Sequence, residues 1–258
     1  MYPVLFRIGS LEITSFGVMV ALGALLGILL LRREAQRSGL DLAKITDAAL
    51  VGVLGGLAGA KLLYVVEHWA EPLTDTLLSR GGMSWFGGMT GGILAGLVAV
   101  RWQGLPLMRV LSAAAPSLAL GQGVGRIGCL LVGDDYGRPT DLPWGLAFPQ
   151  GLPPTTERVH PTQIYEAAIL FALTALLVRF RSRGWSDRAV FASYLVGAGV
   201  SRFLIELVRV NVPVLAGLTT AQLFSIAIVA LGVWLLATRG TEAAAAPAPG
   251  VKPRTRRR

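Results

Sequence analysis

Residues Gly121 to Pro149 have the sequence GQGVGRIGCLLVGDDYGRPTDLPWGLAFP, the most informative stretch of the chain. Its first part is mostly apolar, which indicates a segment embedded in a membrane, and yet it contains Arg126. From Gly133 onward it is rich in glycine, aspartate and proline, which is typical of a turn and a loop. Charge inside a bilayer is costly, so Arg126 marks a functional site in our interpretation.

The composition extends this conclusion to the whole chain. Of 258 residues, 53% are hydrophobic and 15% are charged, whereas a soluble domain carries about 25% charged residues. Apolar runs recur along the length, which predicts an all-α, polytopic membrane protein with about seven spans. The predicted spans, each near the roughly 20 residues that a bilayer requires, are residues 13–31, 46–66, 86–101, 110–132, 161–180, 189–209 and 218–238.

The basic residues predict the orientation of these spans. They are concentrated in the loops on one side, which indicates the cytoplasmic side. The N-terminus is then expected outside and the C-terminus inside. The net charge of +9 follows from this topology, and we expect no nucleic-acid partner. The loop residues concerned are Arg32, Arg33, Arg37, Lys44, Arg101, Arg109, Arg179, Arg181, Arg183 and Arg188.

We predict one membrane domain over residues 1–240, with external segments at about 67–85 and 133–160. Residues 241–258, TEAAAAPAPGVKPRTRRR, are low in complexity and are predicted to form a disordered, basic cytoplasmic tail. The N-terminus lacks the basic start and cleavage site of a signal peptide, so we expect it to be retained. A single cysteine excludes an internal disulfide framework.

Ionisable residues within the spans fall at a similar depth. At 1.5 Å per residue, Lys61, Arg126 and Arg202 lie roughly 22, 24 and 20 Å from the cytoplasmic starts of their helices. Glu166 lies roughly 8 Å from the external start of its own helix. In a hydrocarbon core about 30 Å thick, all four are in the outer half. This shared level predicts a binding chamber that opens to the outer leaflet.

Arg202, Glu206 and Arg209 are spaced i, i+4 and i+7, which places them on one helical face. A local arginine–glutamate pair is one interpretation. The other is that two arginines and one glutamate, together with Arg126, leave a positive excess for an anionic ligand. Arginine suits phosphate because it forms bidentate contacts. Lys61 either joins this chamber or extends toward the membrane surface.

The run His160-Pro161-Thr162-Gln163-Ile164-Tyr165-Glu166 opens the fifth span. Gln163 and Glu166 share a helical face. His160 is a candidate general base or a simple capping residue. Asp134 and Asp135 form a turn or a weak cation site, and we expect no metal centre. Cys129 is either an inert packing residue or a thiol activated by the neighbouring arginine.

Several ordered motifs together resemble the prolipoprotein diacylglyceryl transferase family. The resemblance covers essentially residues 1–238. The motifs that carry it are Gly59-Ala60-Lys61-Leu62-Leu63-Tyr64, Gly81-Gly82-Met83-Ser84 with Gly87-Gly88, Gly125-Arg126-Ile127-Gly128, Gly133 to Gly137, His160 to Glu166, and Arg202-Phe203-Leu204-Ile205-Glu206.

The resemblance implies transfer of a diacylglyceryl group from phosphatidylglycerol to the lipobox cysteine of a preprolipoprotein, giving a thioether and glycerol-1-phosphate. Arg126 and Arg202 are then expected to hold the phosphate, and Glu206 to orient Arg202. The candidate bases are His160, Asp134 and Glu166. The residues expected to bind substrate are Lys61, Gln163, Tyr165, Glu166, Gly137 and Arg209. The family further implies an enzyme without a cofactor in the bacterial cytoplasmic (inner) membrane, expected as a monomer with its site facing the outer leaflet.

The chain departs from the usual family pattern at Cys129 and Val132, where asparagines are common, and at Asp134, where glutamate is common. Phe16 and Phe86 also replace hydrogen-bonding residues. One alternative is therefore a transferase of the same fold with another acceptor, and another is a non-catalytic phospholipid-binding or transport protein. An intramembrane protease is disfavoured because the sequence has no convincing nucleophile motif.

Overall fold

A computed structural model describes residues 1–9, 11–79 and 82–238, and it confirms a mostly helical, multi-pass membrane protein. The predicted tail, residues 241–258, lies outside the described residues. In chain order the elements are β1 (Val4–Ile8), β2 (Leu11–Thr14), α1 (Ser15–Arg37), α2 (Leu42–Glu67), α3 (Leu73–Leu78), α4 (Trp85–Trp102), α5 (Leu107–Val132), β3 (Leu146–Phe148), β4 (Thr155–Val159), α6 (Thr162–Ser182), α7 (Asp187–Glu206) and α8 (Thr220–Ala237).

Helices occupy all seven of the predicted spans. Among the described residues, six of them are long and apolar enough to cross a membrane, namely α1, α2, α5, α6, α7 and α8. The seventh, α4, has 18 residues, of which five are glycines, and it is not among these six. It packs along α2.

Side-chain caps fix where several helices begin. Asp41 accepts hydrogen bonds from the N–H groups of Ala43 and Lys44, so α2 starts earlier than the hydropathy pattern predicts. Thr14 and Ser186 cap α1 and α7 in the same way. Each cap satisfies N–H groups that a helix leaves unpaired at its start.

The predicted end of the sixth span, at residue 209, is wrong. Helix α7 ends at Glu206 because the chain there pairs with the external segment instead of continuing the helix. The carbonyl of Val208 accepts a hydrogen bond of 2.8 Å from the N–H of Arg138, and Arg209 forms an isolated bridge with Gly137. Arg209 is therefore not on the helical face of Arg202 and Glu206.

Two small antiparallel hairpins, which the sequence did not predict, fold the segments outside the bundle. Strands β1 and β2 pair before α1, and β3 and β4 pair within the external segment 133–160. Val159 and Phe148 are buried, and the ring of Tyr136 stacks on Phe148 at 5.3 Å. The strands have three to five residues, too few for a clear alternation of polar and apolar positions.

Helices α2 and α4 meet through glycine on both sides. Gly55 and Gly59 of α2 face Gly87 and Gly91 of α4, and a Cβ atom at any of the four positions would collide with backbone or Cβ atoms of the other helix. Small residues allow helix backbones in a membrane to approach closely and pack by van der Waals contact. This glycine interface makes α2 and α4 one tightly joined pair.

Helix α5 is the centre of the second group of helices. It packs against α1, α6 and α7, while α7 also packs against α8. Ala115 and Ala119 of α5 are fully buried against Leu173 and Leu177 of α6. The apolar core thus occupies the half of the bundle near the basic loops, which leaves the opposite end for polar groups.

A buried ion pair closes the basic end of this bundle. Glu34 of α1 has no exposed side-chain surface, and its Oε2 lies 2.9 Å from Nε of Arg181 on α6. Arg181 also donates to Ser38 at 2.6 Å, and Arg37 pairs with Glu34 at 2.7 Å. These contacts join α1 and α6 next to the start of α5.

The glycine interface predicts a sharp difference between two alanine substitutions. In Gly59→Ala the new Cβ would meet the carbonyl oxygen of Gly87 and, at 2.9 Å, Cα of Gly91. Because backbone atoms cannot move aside, we expect a loss of about 1–3 kcal/mol in the free energy of unfolding, measured as a lower Tm in detergent. Gly96→Ala is the control, since its nearest neighbour is Gly52 Cα at 3.9 Å. Equal Tm values for both variants would contradict the interface.

Candidate active site

Charged side chains converge where α5 and α7 end and α6 begins. Three arginines and three carboxylates contact one another there, and we call this set the ionic cluster. It consists of Arg126, Arg202, Arg209, Asp135, Glu166 and Glu206. The structure therefore brings together three of the four charges predicted at one depth, Arg126, Arg202 and Glu166, but not Lys61. The cluster also contains Glu206, Arg209 and Asp135.

Arg126 of α5 connects a helix to the external segment. Its Nε lies 2.9 Å from Oε2 of Glu166, and its Nη1 lies 2.7 Å from Oδ2 of Asp135. Only 18% of its side chain is exposed. A guanidinium in a poorly solvated place requires such partners, because an unpaired charge there is costly.

Arg202 of α7 lies between the two glutamates. Its Nη2 is 3.0 Å from Oε2 of Glu206, and its Nη1 is 3.6 Å from Oε2 of Glu166. That Nη1 atom is buried and has no hydrogen-bond acceptor among the described residues. Glu206 is itself held by Asn211 and by the hydroxyl of Thr219, the latter at 2.9 Å. Glu206 is thus a fixed support for Arg202.

Arg209 reaches the cluster from beyond the end of α7. Its Nη2 lies 2.6 Å from Oδ1 of Asp135, and its Nε lies 3.7 Å from Oε2 of Glu206. The backbone bridge between Arg209 and Gly137 holds Arg209 next to the external segment. Gly137 has no room for a side chain, since a Cβ there would lie 2.9 Å from Cβ of His160 and 3.0 Å from Cγ2 of Thr162.

The predicted positive excess at this site is wrong. Three guanidinium groups face three carboxylates, so the ionic cluster is close to neutral when all six groups are ionised. The prediction counted Arg126, Arg202 and Arg209 against Glu206 alone. It placed Glu166 at the depth of Arg126 but left it out of the charge balance, and it did not place Asp135 beside Arg126, because that contact joins a helix to a loop.

The start of α6 holds the external segment in place. The hydroxyl of Thr162 donates to the backbone carbonyl of Asp135 at 2.6 Å, and Nε2 of Gln163 donates to the carbonyl of Asp134. The N–H of Gly137 donates to the carbonyl of His160 at 2.9 Å. Gln163 is thus bound to the loop backbone, and its Oε1 is a buried acceptor without a donor among the described residues.

The two adjacent aspartates differ in their acidity. Burial raises the pKa of Asp134, and the neighbouring charge of Asp135 adds to this effect. Burial also acts on Asp135, but its hydrogen bonds and ion pairs with Arg209 and Arg126 outweigh it and lower the pKa to about 2. Asp135 therefore remains ionised at physiological pH, whereas Asp134 retains a proton more readily than an exposed aspartate.

Cys129 lies beside both aspartates. Its sulfur is 3.9 Å from Nη1 of Arg126, and its Sγ and the carboxylate oxygens of Asp134 and Asp135 lie within 4.8 Å of one another. This is a geometry that a metal ion can use. However, both oxygens of Asp135 already contact arginines, and Arg126 would repel a cation. We therefore assign no metal to these residues.

His160 and Tyr165 form a separate polar group. Nδ1 of His160 lies 3.4 Å from the hydroxyl of Tyr165, and Nε1 of Trp144 donates to that hydroxyl at 2.7 Å. In the described part of the chain, the side-chain hydrogen bonds of His160 and Tyr165 are with each other and with Trp144, and they do not include a residue of the ionic cluster.

Lys61 contacts the segment before α4. Its Nζ donates to the carbonyl and hydroxyl of Ser79 at 2.6 and 3.1 Å and to the carbonyl of Gly82 at 3.2 Å. It also lies 5.5 Å from the ring centroid of Tyr64. Of the apolar residues that stand where the family commonly has polar ones, Val132 is buried and Phe16 lies near Gly128.

The sequence did not predict Asp135 as a cluster residue or Thr162 as the residue that holds its backbone. Asp135 was predicted as part of a turn or a weak cation site, because a sequence does not show which of two adjacent aspartates faces the arginines. Asp135 has φ of 61°, in the left-handed region, and this conformation sets the direction of its side chain. Asp and Asn adopt this conformation more readily than most residues, which was the available signal.

Comparisons with known proteins agree with the motifs. A family model described as prolipoprotein diacylglyceryl transferase matches residues 3–238. A relative from Clostridium tetani, named phosphatidylglycerol–prolipoprotein diacylglyceryl transferase, is 32% identical over 243 residues, covering 91% of this chain and 96% of the relative. Relatives of the same name from Geobacter sulfurreducens and Synechococcus elongatus are 36% and 34% identical, over 90% of this chain and 92% and 85% of their own lengths.

The contact between α6 and the loop yields a measurable prediction. Thr162→Val removes the hydrogen bond to Asp135 while keeping the side-chain shape, at a cost of about 1 kcal/mol. We expect the amides of Gly137 and Arg138 to exchange with solvent about fivefold faster by mass spectrometry. Thr174→Val is the control, since its hydroxyl bonds within α6, to Leu170. Unchanged exchange in Thr162→Val would show that this bond does not hold the loop.

Proposed function

The chain belongs to the prolipoprotein diacylglyceryl transferase family, and we propose that its ionic cluster binds the phosphate of phosphatidylglycerol while the diacylglyceryl group moves to a prolipoprotein cysteine. One observation carries the assignment. Three guanidinium groups from α5, α7 and the segment after α7 converge on one place, and Nη1 of Arg202 is buried there without a hydrogen-bond acceptor among the described residues, the Oε2 atom of Glu166 being 3.6 Å away. A phosphate oxygen is the acceptor that such a donor suits best.

The reaction is a substitution at carbon. The thiolate sulfur of the lipobox cysteine attacks the glycerol carbon that is bonded to the phosphate oxygen. A carbon–sulfur bond forms, the carbon–oxygen bond breaks, and the electron pair leaves with glycerol-1-phosphate. Negative charge grows on the phosphate during this step, so Arg126 and Arg202 are expected to stabilise the transition state more than the bound lipid.

Asp134 is our candidate for the base that takes the thiol proton. One of its carboxylate oxygens, Oδ1, is buried without a hydrogen-bond partner among the described residues, and burial raises its pKa. A higher pKa makes it a stronger proton acceptor than an exposed aspartate. Glu166 is less suited because two arginines already contact its Oε2. His160 contacts Tyr165 instead of the cluster.

The membrane side follows from the charge asymmetry. The ionic cluster and the N-terminal hairpin lie at one end of the bundle, where the N–H of Tyr2 donates to the carbonyl of Leu131. The basic loops lie at the other end, and such loops stay in the cytoplasm. We therefore place the reaction at the outer leaflet of the bacterial cytoplasmic membrane.

The phosphate assignment predicts which arginines are essential. With phosphatidylglycerol and a lipobox peptide, Arg126→Ala and Arg202→Ala should each lower kcat/KM for thioether formation at least about 100-fold. Arg158→Ala is the control, because Arg158 is exposed and its side chain, among the described residues, donates a hydrogen bond only to the carbonyl of Pro143. Full activity in either cluster variant would remove that arginine from the site. Lipid binding without turnover in the unsubstituted protein would instead favour a non-catalytic phospholipid-binding protein.

The base assignment predicts a pH-dependent loss of rate. Asp134→Asn should lower kcat/KM strongly at pH 7, where a free thiol with a pKa of about 8.5 is mostly protonated. As the pH rises toward 9 the thiol ionises by itself, so the gap to the unsubstituted protein should narrow. Asp141→Asn, an exposed acid on the same loop, serves as the control and should match the parent at every pH. A constant gap from pH 7 to 9 would exclude Asp134 as the base.

A further inference from the structure

The Asp135 carboxylate contacts two arginines at once. Oδ2 lies 2.7 Å from Nη1 of Arg126, and Oδ1 lies 2.6 Å from Nη2 of Arg209. One oxygen is thus directed at each guanidinium group. A phosphate group binds a pair of arginines in the same manner, with separate oxygens on separate N–H groups. The carboxylate therefore occupies a position that suits a phosphate.

Asp135 differs from the other two carboxylates of the cluster in its exposure. The side chains of Glu166 and Glu206 are 10% and 0% exposed, whereas that of Asp135 is 38% exposed. The glutamates belong to helices and Asp135 belongs to a loop. Asp135 is thus the member of the cluster that solvent and an incoming ligand reach most easily.

The arginines have other supports besides Asp135. Arg126 retains its contact with Glu166 at 2.9 Å, and Arg209 retains Glu206 at 3.7 Å. The backbone of Asp135 is held by the hydroxyl of Thr162. The carboxylate can therefore rotate away about its side-chain bonds while the loop backbone and both guanidinium groups keep their places.

From this geometry we propose that Asp135 is a built-in competitor of the substrate phosphate for Arg126 and Arg209. When the phosphate enters, the carboxylate rotates out. When glycerol-1-phosphate leaves, the carboxylate returns and neutralises the two arginines. Asp135 thus weakens lipid binding and promotes product release. This inference rests on the proposed function, because it requires the ionic cluster to bind phosphate.

A purely structural role gives the opposite expectation. If Asp135 served only to hold the arginines in position, its neutralisation would loosen them and weaken phosphate binding. If it competes with phosphate, neutralisation strengthens binding. Asp135→Asn separates these cases well, because Asn also tolerates the left-handed backbone conformation with φ of 61° and has nearly the same shape.

Binding is measured on the purified full chain in nanodiscs by calorimetry with glycerol-1-phosphate, and inorganic phosphate is titrated separately. We expect Asp135→Asn to bind glycerol-1-phosphate about tenfold more tightly than the parent, and Asp135→Glu to restore weak binding. Asp141→Asn, which removes an exposed charge from the same loop, should bind like the parent. Tighter binding in both Asn variants would reflect net charge only and would overturn the proposal.

Kinetics with phosphatidylglycerol give the second measurement. Asp135→Asn should lower both KM and kcat, with stronger inhibition by added glycerol-1-phosphate, because product release is slowed. A fall in inorganic phosphate Kd without any change in KM would assign Asp135 to free phosphate and not to the lipid, and would overturn the proposal for this reaction.

The two hypotheses fail in different ways. If Arg126→Ala and Arg202→Ala lose binding while Asp135→Asn binds no more tightly than the parent, the competitor role is wrong and the phosphate site stands. If the arginine variants bind glycerol-1-phosphate as well as the parent does, the phosphate site itself is wrong, and the role of Asp135 is lost with it.

Discussion

The interaction on which this structure depends most is the pairing of Arg126 with Glu166 across two helices. Neither charge is stable alone in an apolar surrounding, and each one fixes the other. Their contact joins α5 to α6, and α7 supplies Arg202 to the same carboxylate. Asp135, in the loop that follows α5, also contacts Arg126, so the external segment is attached to the same pair.

The sequence predicted the part of this arrangement that helices determine. Rise per residue and hydropathy placed Arg126, Glu166 and Arg202 at one depth, and the helices bring them into contact. The family resemblance, which rested on ordered motifs, is confirmed by matches over most of the chain.

What the sequence did not predict depends on contacts between segments that are distant along the chain. The end of α7 is decided by a hydrogen bond between Val208 and Arg138, and no local pattern encodes that bond. The direction of Asp135 depends on one left-handed residue and on Thr162. The balance of charge depends on Asp135 and on Glu166 of another helix, so counting charges along one helix predicted a positive excess where the ionic cluster is close to neutral.

The glycine interface between α2 and α4 has a consequence for how this protein family is compared. Where the two backbones touch, a larger residue on one helix cannot be compensated by a smaller residue on the other, because the facing residue is already glycine. At lipid-facing positions of the same helices, one apolar residue can replace another. Invariance at Gly55, Gly59, Gly87 and Gly91 across relatives would therefore reflect the short distance between two helices. An alignment that ranks positions by invariance would give these chemically inert glycines the same rank as the arginines.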